Sequence, residues 1–335
     1  MARSVYGRDG GDFDNPREHP IPTAGAPAEQ SGFFENPDHL AAVRYGISIG
    51  QLPLKFAYAG SAAFTHNALA RSSGYLGVIG SSTFEVDALG AVAPYAGLPS
   101  AMVEIGPGNG VHTAASLSLL FDRGAEIVQY LGLDFSQTLL AICRRRLVEV
   151  FGSRLAVDIG VWDVERAPSR LIDEWRGPEP VVVGLFGQTL GNVEDIPRTL
   201  TNIYDSIRAD DVLVVSVTLW GDHMSTDDLL APYRAPAFRL AVLEPIRAAG
   251  VPLDDVELRV RVADATVLGE AVFGAPVDVD GLNLPAGHLV RCFRSYRFSP
   301  TQVPALFDRS LWSLNRVMVD REGAHAVAIC TRKAA

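Results

Sequence analysis

Ala101-Met102-Val103-Glu104-Ile105-Gly106-Pro107-Gly108-Asn109-Gly110 joins an apolar run, which contains one acidic residue, to three glycines at alternate positions. The pattern predicts a buried strand that ends in a sharp turn. A ligand can approach the backbone of such a turn because no Cβ atoms stand in its way. A dinucleotide-binding fingerprint would need a further glycine where Val111 stands, so the spacing argues against an NAD-dependent oxidoreductase. The alternative is a turn with a purely structural role.

Strands and helices alternate from about residue 100 onward, as a parallel sheet requires, and predict an α/β fold. The predicted strands are Ala101–Ile105, Ile127–Asp134, Leu155–Gly160, Val181–Phe186 and Asp211–Leu219. The predicted helices are Val111–Phe121, Gln137–Val150 and Glu194–Ile207, the last with Asn192 as its N-cap. Beyond them we expect helix over 223–250, a smaller antiparallel sheet over 256–273 and 287–298, a helix at Pro304–Leu314 and a strand at His325–Ile329.

The composition excludes several classes of protein. A net charge of −10 and a pI near 5.2 argue against nucleic-acid binding, which needs a basic face. No apolar stretch approaches the length of a membrane span, and the N-terminus lacks the apolar core of a signal peptide. Three distant cysteines, Cys143, Cys292 and Cys330, fit a reducing compartment. We therefore expect a cytoplasmic protein that binds no metal, membrane or nucleic acid.

The chain divides into three parts by composition. Residues 1–30 are rich in Gly, Pro, Asp and Glu without apolar periodicity, and predict a mobile tail. We assign 81–222 and 297–335 to the parallel-sheet core. Residues 31–80 and 223–296 are assigned to a smaller α+β substrate domain.

Two acidic residues follow predicted strands of the core. Asp134 ends the second strand, where a carboxylate can accept hydrogen bonds from both hydroxyls of a ribose. The alternative role for Asp134 is that of a helix N-cap, for which Ser136 would serve equally well. Asp163 follows the third strand, where it can accept a hydrogen bond from an adenine amino group while Val164 covers the ring.

The motif E-x-G-x-G-x-G resembles the first motif of class I methyltransferases, which use S-adenosylmethionine. A second segment, Gly184-Leu185-Phe186-Gly187-Gln188-Thr189-Leu190-Gly191-Asn192, is similar to a turn of the histidine-specific N-methyltransferases of ergothioneine biosynthesis. Only Gln188 departs, since that family has a small hydroxyl residue there. The segment Pro53-Leu54-Lys55-Phe56-Ala57-Tyr58 also resembles a family segment, and Tyr75 falls at a family tyrosine. The resemblance covers roughly 50–335 and is weak beyond 240.

The resemblance implies a set of site residues. Those expected to hold S-adenosylmethionine are Glu104, Gly106, Gly108, Asp134, Asp163, Val164 and Gly187. Those expected to hold the substrate are Tyr58, Tyr75, Asn192, Tyr233, Phe293 and Ser295. Among these, Tyr75, Asn192 and Tyr233 are the candidates for a catalytic role, although none must be a base. For each tyrosine the alternative is an ordinary core or rim aromatic.

Phe293 is the departure that bears on the substrate. The family reads its imidazole with a glutamate and a serine, whereas this chain has Phe293 and Ser295. A phenyl ring cannot accept a hydrogen bond from a buried imidazole N–H, and an unpaired donor costs about 1–3 kcal/mol. We therefore expect an indole or phenyl amine derived from an amino acid rather than histidine. The alternatives are C-methylation of an indole ring, histidine N-methylation as in the family, and a paralogue that binds the cofactor without turnover.

Overall fold

The computed structural model describes residues 33–70, 82–92, 100–221, 225–308 and 311–333. The helices are α1 (Pro37–Ser48), α2 (Ala62–Leu69), α3 (Ser82–Gly90), α4 (Val111–Asp122), α5 (Gln137–Phe151), α6 (Leu171–Trp175), α7 (Thr189–Asn192), α8 (Ile196–Tyr204), α9 (Thr226–Arg234), α10 (Pro236–Ala248) and α11 (Gln302–Asp308), with 3-10 turns at Leu54–Tyr58 and Gly152–Arg154. The strands are β1 (Ala101–Ile105), β2 (Gln129–Asp134), β3 (Ala156–Val161), β4 (Val182–Leu185), β5 (Val212–Thr218), β6 (Val256–Ala263), β7 (Thr266–Phe273), β8 (Val277–Val279), β9 (Leu282–Leu284), β10 (Leu289–Tyr296), β11 (Trp312–Val319) and β12 (His325–Arg332). The predicted tail and Tyr75 lie outside the described residues.

A seven-stranded sheet forms the centre of the fold, in the order β11-β12-β5-β4-β1-β2-β3. Strands β1 to β5 are parallel to one another, while β12 is antiparallel to both β5 and β11. One antiparallel strand inserted near the edge of a parallel sheet is the arrangement of class I methyltransferases. The predicted α/β class with this Rossmann-like core is confirmed.

The central strands are apolar along their whole length because helices cover both faces of the sheet. In β4 and β5 nearly every residue is buried, and the apolar side chains of the two faces belong to separate clusters. Helix α5 illustrates the local signals at its ends: the Ser136 hydroxyl accepts a hydrogen bond from Leu139 N, and Gly152 follows its last residue with a φ of 55°.

A second, antiparallel sheet lies beyond the core, with the order β10-β7-β6. Its apolar residues form one cluster with those of α1, α10 and the 3-10 turn at Leu54–Tyr58. Segments from the start of the chain and from 226–296 thus share a core, as the proposed substrate domain requires. The exact division of the chain into domains stays a prediction.

Three expectations about elements were wrong. The predicted helix at Pro304–Leu314 ends at Asp308, and an edge strand, β11, begins at Trp312. Asn192 does not cap α8, because Asp195 does so by accepting a hydrogen bond from Arg198 N. Residues 226–248 form two helices that meet at Ala235, where the chain is extended before Pro236. The other predicted boundaries differ by at most three residues, and those of β1 coincide with the prediction at both ends.

A buried ion pair ties the loop before β4 to the start of β5. Arg176 Nη1 contacts both carboxylate oxygens of Asp211, and the two side chains are 1% and 0% exposed. Asp211 also accepts hydrogen bonds from Val181 N and Arg208 N. Removing one member of such a pair leaves an uncompensated charge in the interior.

We expect Asp211→Ala to lower the free energy of unfolding by about 3–5 kcal/mol, measured by urea denaturation, because Arg176 stays buried without its partner. The control is Asp173→Ala, which removes an exposed pair with Arg208 (49% and 40% exposed). The control should cost less than about 1 kcal/mol. Equal losses in the two variants would contradict the assignment of Asp211 as the interior anchor.

Candidate functional site

A cleft opens at the carboxyl ends of β1, β2 and β4, where the order of strands along the sheet reverses. All seven residues predicted to bind the cofactor line this cleft: Glu104, Gly106, Gly108, Asp134, Asp163, Val164 and Gly187. Of the residues predicted to bind the substrate, Tyr58 and Asn192 also line it. The structure brings these residues together, and their roles stay predictions.

Two glycines of the first loop have different reasons to lack a side chain. Gly106 has a φ of 77°, and a Cβ there would lie 2.8 Å from the Thr189 side chain. Gly108 has a φ of 55°, and a Cβ there would meet no atom within 4 Å. Gly106 therefore permits the loops after β1 and β4 to touch, whereas Gly108 leaves its backbone open to a ligand.

Asp134 lies at the end of β2 beside this loop. Its oxygens accept hydrogen bonds from Gly108 N at 3.2 Å and Ser136 N at 3.0 Å. Burial raises the pKa of Asp134 to about 6 against the opposing effect of these bonds. At neutral pH the side chain is a carboxylate, and each oxygen keeps a lone pair for a ligand hydroxyl.

Glu104 is buried under the same loop. Its Oε2 accepts hydrogen bonds from Thr113 Oγ1 and Tyr130 Oη, both at 2.8 Å. Burial raises the pKa of Glu104 to about 6, although both hydrogen bonds favour the charged form. The two hydroxyls hold one oxygen of Glu104 and thereby fix the carboxylate at the floor of the cleft.

Lys55 joins the second sheet's elements to the core across the cleft. Its Nζ donates to both oxygens of Asp163, at 2.9 and 2.8 Å, and lies 3.8 Å from Glu165 Oε1. The ammonium also lies 5.3 Å from the centre of the Phe135 ring. Asp163 is therefore already paired, but its oxygens keep lone pairs for a further donor.

The sequence analysis did not identify a cluster formed by Ser82, Glu85 and His112. His112 lines the cleft, its Nε2 is bonded to Glu85 Oε2, and its Nδ1 lies 3.1 Å from Ser82 Oγ. Burial alone would lower the pKa of His112, but the hydrogen bond and charge of Glu85 outweigh it and raise that pKa above its usual value. The contact with Glu85 thus favours the charged form of an imidazole that lines the cleft.

The loop after β4 connects the cleft to the second sheet. Gln188, which departs from the family pattern, has a φ of 70°; it donates to Tyr296 O and accepts from Thr218 N. Asn192 Oδ1 accepts a hydrogen bond from Ser295 Oγ at 2.9 Å. The buried Gln188 side chain thus connects β5 to the end of β10. Asn192 is held at the cleft by Ser295 of β10.

Three of the predicted substrate-binding residues lie behind Asn192 rather than on the cleft. Ser295, Tyr233 and Phe293 are all buried, and none lines the cleft. Phe293 is 0% exposed and stacks on Tyr233, with ring centres 5.5 Å apart and planes at 13°. The expectation that Phe293 faces the substrate is corrected, because its ring fills the core above Gly269, where a Cβ would collide with it.

Part of the cleft lining is aromatic and apolar. Tyr58, His66, Phe135 and Phe186 form this aromatic wall, and the rings of Tyr58 and His66 lie 4.5 Å apart. Burial lowers the pKa of His66 to about 4, so its imidazole is neutral at pH 7. This wall suits a flat, weakly polar ring.

Glu35 is a further residue that the sequence did not reveal. Its carboxylate accepts hydrogen bonds from Gly60 N, Gln137 N and Thr138 N, and so holds the start of α5 next to Asp134. Burial raises the pKa of Glu35, but these backbone bonds outweigh it and lower that pKa overall. Its partners lie 25 to 103 residues away in the chain, so no local pattern could indicate the role.

Other site types were sought among the described residues alone. Within them, no helix is both long and apolar enough to cross a bilayer. The same residues contain no group of three or more His, Cys, Asp and Glu side chains arranged to hold a metal ion. The three cysteines are buried and unbridged.

No protein-family model and no curated protein matches the sequence. Solved structures of similar fold include CalS10 from Micromonospora echinaspora, an amino pentose methyltransferase with S-adenosylmethionine bound. It is 12% identical in sequence, the match covers 81% of this chain and 96% of that chain, and the TM-score is 0.39. Another is the magnesium protoporphyrin IX methyltransferase ChlM from Synechocystis PCC 6803, which is 10% identical, with 83% of this chain and 98% of that chain covered and a TM-score of 0.43. A third is a putative Zn-dependent alcohol dehydrogenase from Rhodobacter sphaeroides, which is 14% identical, with 81% of this chain and 98% of that chain covered and a TM-score of 0.43. None reaches a TM-score of 0.5, and the function has to be argued from the site.

We expect Glu104→Gln to stabilise the protein at pH 7.5 by on the order of 2 kcal/mol, because a raised carboxyl pKa means that its charged form opposes folding. The loss of stability caused by the charged carboxylate is absent below the ordinary pKa of 4.5 and complete above about 6. The stability of the wild type therefore falls as pH rises through that window. Glutamine keeps an oxygen for Thr113 and Tyr130 but has no charge.

Urea denaturation of both proteins at pH 4 and pH 7.5 measures this difference. Exposed Glu149→Gln is the matched control and should change stability little at either pH. A gain for Glu104→Gln that persists unchanged at pH 4 would show that the charge is not its cause.

Proposed function

We propose that this chain is an S-adenosylmethionine-dependent methyltransferase whose substrate is a small aromatic amine derived from an amino acid. One observation carries the proposal. Seven residues from four separate segments, all predicted to bind the cofactor, meet in one cleft at the switch point of the sheet.

The chemistry of these residues fits the cofactor. Gly108 leaves open space above its backbone, and Asp134 offers two acceptor oxygens beside it for the hydroxyls of a ribose. The pair of Asp163 and Val164 lies where an adenine needs an acceptor for its amino group and an apolar cover. When bound, S-adenosylmethionine supplies an activated methyl group on a sulfonium.

The sheet topology supports methyl transfer over hydride transfer. A dinucleotide-binding sheet of the Rossmann type has six parallel strands, whereas this sheet has the antiparallel β12 between β5 and β11. The glycine spacing at Val111 agrees with this difference.

The acceptor end of the cleft supports the resemblance to histidine N-methyltransferases in part. Asn192, Ser295 and Tyr233, which match that family's substrate residues, are joined by hydrogen bonds. Phe293 stands where the family's imidazole-reading glutamate would, and its ring points into the core. With no carboxylate at this position and with aromatic side chains lining the same cleft as Asn192, an indole or phenyl ring fits better than an imidazole.

The protein's contribution to the reaction is to bind, orient and exclude water. Lys55 and Asp163 close one side of the cleft, and the aromatic wall removes water from around the acceptor. Asn192 orients the acceptor for in-line attack on the methyl carbon. An amine has to be deprotonated before attack, whereas an electron-rich indole carbon does not.

Asp134→Ala should weaken binding of S-adenosylhomocysteine at least tenfold, about 1.5 kcal/mol, because the ribose loses a charged acceptor. Titration calorimetry measures the dissociation constant. Asp158→Ala is the control, since Asp158 is exposed on the neighbouring β3 and contacts Trp175 Nε1. An unchanged constant in Asp134→Ala, or measurable binding of NADH to the wild type, would overturn the cofactor assignment.

A panel of acceptors tests the substrate class: histidine, tryptophan, tryptamine, tyrosine and tyramine. We expect a singly methylated product, seen by mass spectrometry, from the indole or phenol compounds and not from histidine. The physical reason is that Phe293, at the position of the glutamate in the histidine N-methyltransferases, offers no acceptor to the imidazole N–H and would leave that donor unpaired.

Each other outcome selects a different function. Histidine as the best acceptor would return the chain to the role of the family it resembles. Methylation at a ring carbon, located by NMR of the product, would identify the C-methyltransferase alternative. Tight S-adenosylhomocysteine binding without turnover of any compound would favour a protein that only binds the cofactor.

A further inference from the structure

Arg297 is a buried cation whose hydrogen-bond partners are neutral. It is 2% exposed, its Nη2 donates to Tyr233 Oη at 2.5 Å, and its Nη1 donates to Ser295 Oγ at 3.2 Å. In the described parts of the chain no carboxylate lies within ion-pairing distance of it, whereas Arg176, equally buried, pairs with Asp211. Burying a guanidinium without a counter-ion opposes folding. Its presence therefore calls for a role other than stability.

The arginine gives the hydrogen bonds around it a direction. A guanidinium only donates, so the oxygens of Tyr233 and Ser295 must accept from it and turn their own protons away. Tyr233 Oη then donates to Ser295 Oγ at 3.4 Å, and Ser295 Oγ donates to Asn192 Oδ1 at 2.9 Å. The Ser295 hydroxyl thereby accepts two bonds and donates one, which uses its full capacity.

The aromatic core keeps this chain of bonds in place. The Tyr233 ring stacks on Phe293 and meets the edge of Phe238, with ring centres 5.5 and 5.1 Å apart. Tyr233 cannot swing its hydroxyl away from Arg297 without displacing these rings. Phe293 thus contributes to the site by supporting Tyr233.

The direction of the bonds decides which way the Asn192 amide lies. If Ser295 were free to accept instead of donate, the amide could flip and direct its Nδ2 towards Ser295. With Arg297 present, Oδ1 faces Ser295 and the Nδ2 group is left for the cleft that Asn192 lines.

We propose that Arg297 is a positioning residue that fixes the amide of Asn192 through Tyr233 and Ser295, so that the Asn192 Nδ2 donates to the substrate. The matching group on the substrate is a hydrogen-bond acceptor, such as a carboxylate or carbonyl oxygen. The kinetic part of the test rests on the proposed methyltransferase function, whereas its NMR part does not.

The kinetic experiment compares Arg297→Gln, Arg297→Lys, Ser295→Ala and the double variant Arg297→Gln/Ser295→Ala, with the best acceptor of the panel. Glutamine can accept as well as donate and removes the direction, whereas lysine only donates and keeps it. We expect kcat/KM to fall about tenfold or more in Arg297→Gln and in Ser295→Ala, with no further fall in the double variant, because both act on one network. Arg297→Lys should retain most of the wild-type kcat/KM. The affinity for S-adenosylhomocysteine should stay unchanged in all variants.

The NMR experiment needs no acceptor. In protein labelled with ¹⁵N-asparagine and saturated with S-adenosylhomocysteine, the side-chain amide signal of Asn192 is identified by its loss in Asn192→Ala. We expect this signal to shift in Ser295→Ala and Arg297→Gln, and to stay near its wild-type position in Arg297→Lys. The control is Arg259→Gln, an exposed arginine of the same sheet that pairs with Glu257.

Two results would overturn the proposal. One is a set of additive losses of kcat/KM in the double variant. The other is an Asn192 signal that does not respond to Ser295→Ala or to Arg297→Gln, whatever the change in thermal stability. If the signal responds but no acceptor is methylated, the positioning role stands and the proposed function fails.

Discussion

The loops that follow β1 and β4 touch each other, and the rest of the site depends on that contact. Gly106 approaches Thr189 so closely that even a Cβ would collide with it. The two strands are neighbours at the point where the sheet's order reverses, and the cleft opens there, at their carboxyl ends. Glu104 and Asp134 line this cleft with carboxylates that burial makes costly to charge. Buried carboxylates with raised pKa values are typical of binding and catalytic sites, where they lower stability.

The second sheet completes the cleft through polar contacts that cross from one part of the chain to another. Lys55 pairs with Asp163, Gln188 spans β5 and the end of β10, and Ser295 reaches Asn192. Each contact joins a residue of the parallel-sheet core to one from the smaller sheet or its flanking segments. Lys55, Asp163 and Asn192 line the cleft, so these contacts fix the position of its lining relative to the smaller sheet.

The sequence predicted the parallel sheet and a set of residues that the structure brings together in one cleft, because both depend on local signals. Apolar strands, glycine turns and an acidic residue at a strand end are all readable within a few positions, as at Gly106 and Asp134. The strand at Trp312 was missed because the preceding helix and the edge strand form one continuous amphipathic pattern. Glu35 and Arg297 carry no local signal, since their roles arise only when distant segments meet. The residue type at Phe293 could be compared with the family pattern, but the direction of its ring could not be predicted, because one face of β10 points to the core and the other does not.

Four of the described groups that line the cleft, His66, His112, Asp134 and Glu104, are weak proton acceptors, and this constrains the chemistry. His66 has a pKa near 4, and His112 is held by Glu85 and Ser82. Asp134 and Glu104, with pKa values near 6, are bound by backbone and hydroxyl donors. An ammonium with an ordinary pKa could not lose its proton to any of these groups at useful cost. An amine acceptor must therefore arrive neutral or be neutralised by transfer into the apolar wall, where burial disfavours its charged form. An electron-rich aromatic carbon needs no such step before attack. The weak basicity of these four groups therefore makes N-methylation depend on desolvation but leaves the C-methylation alternative open.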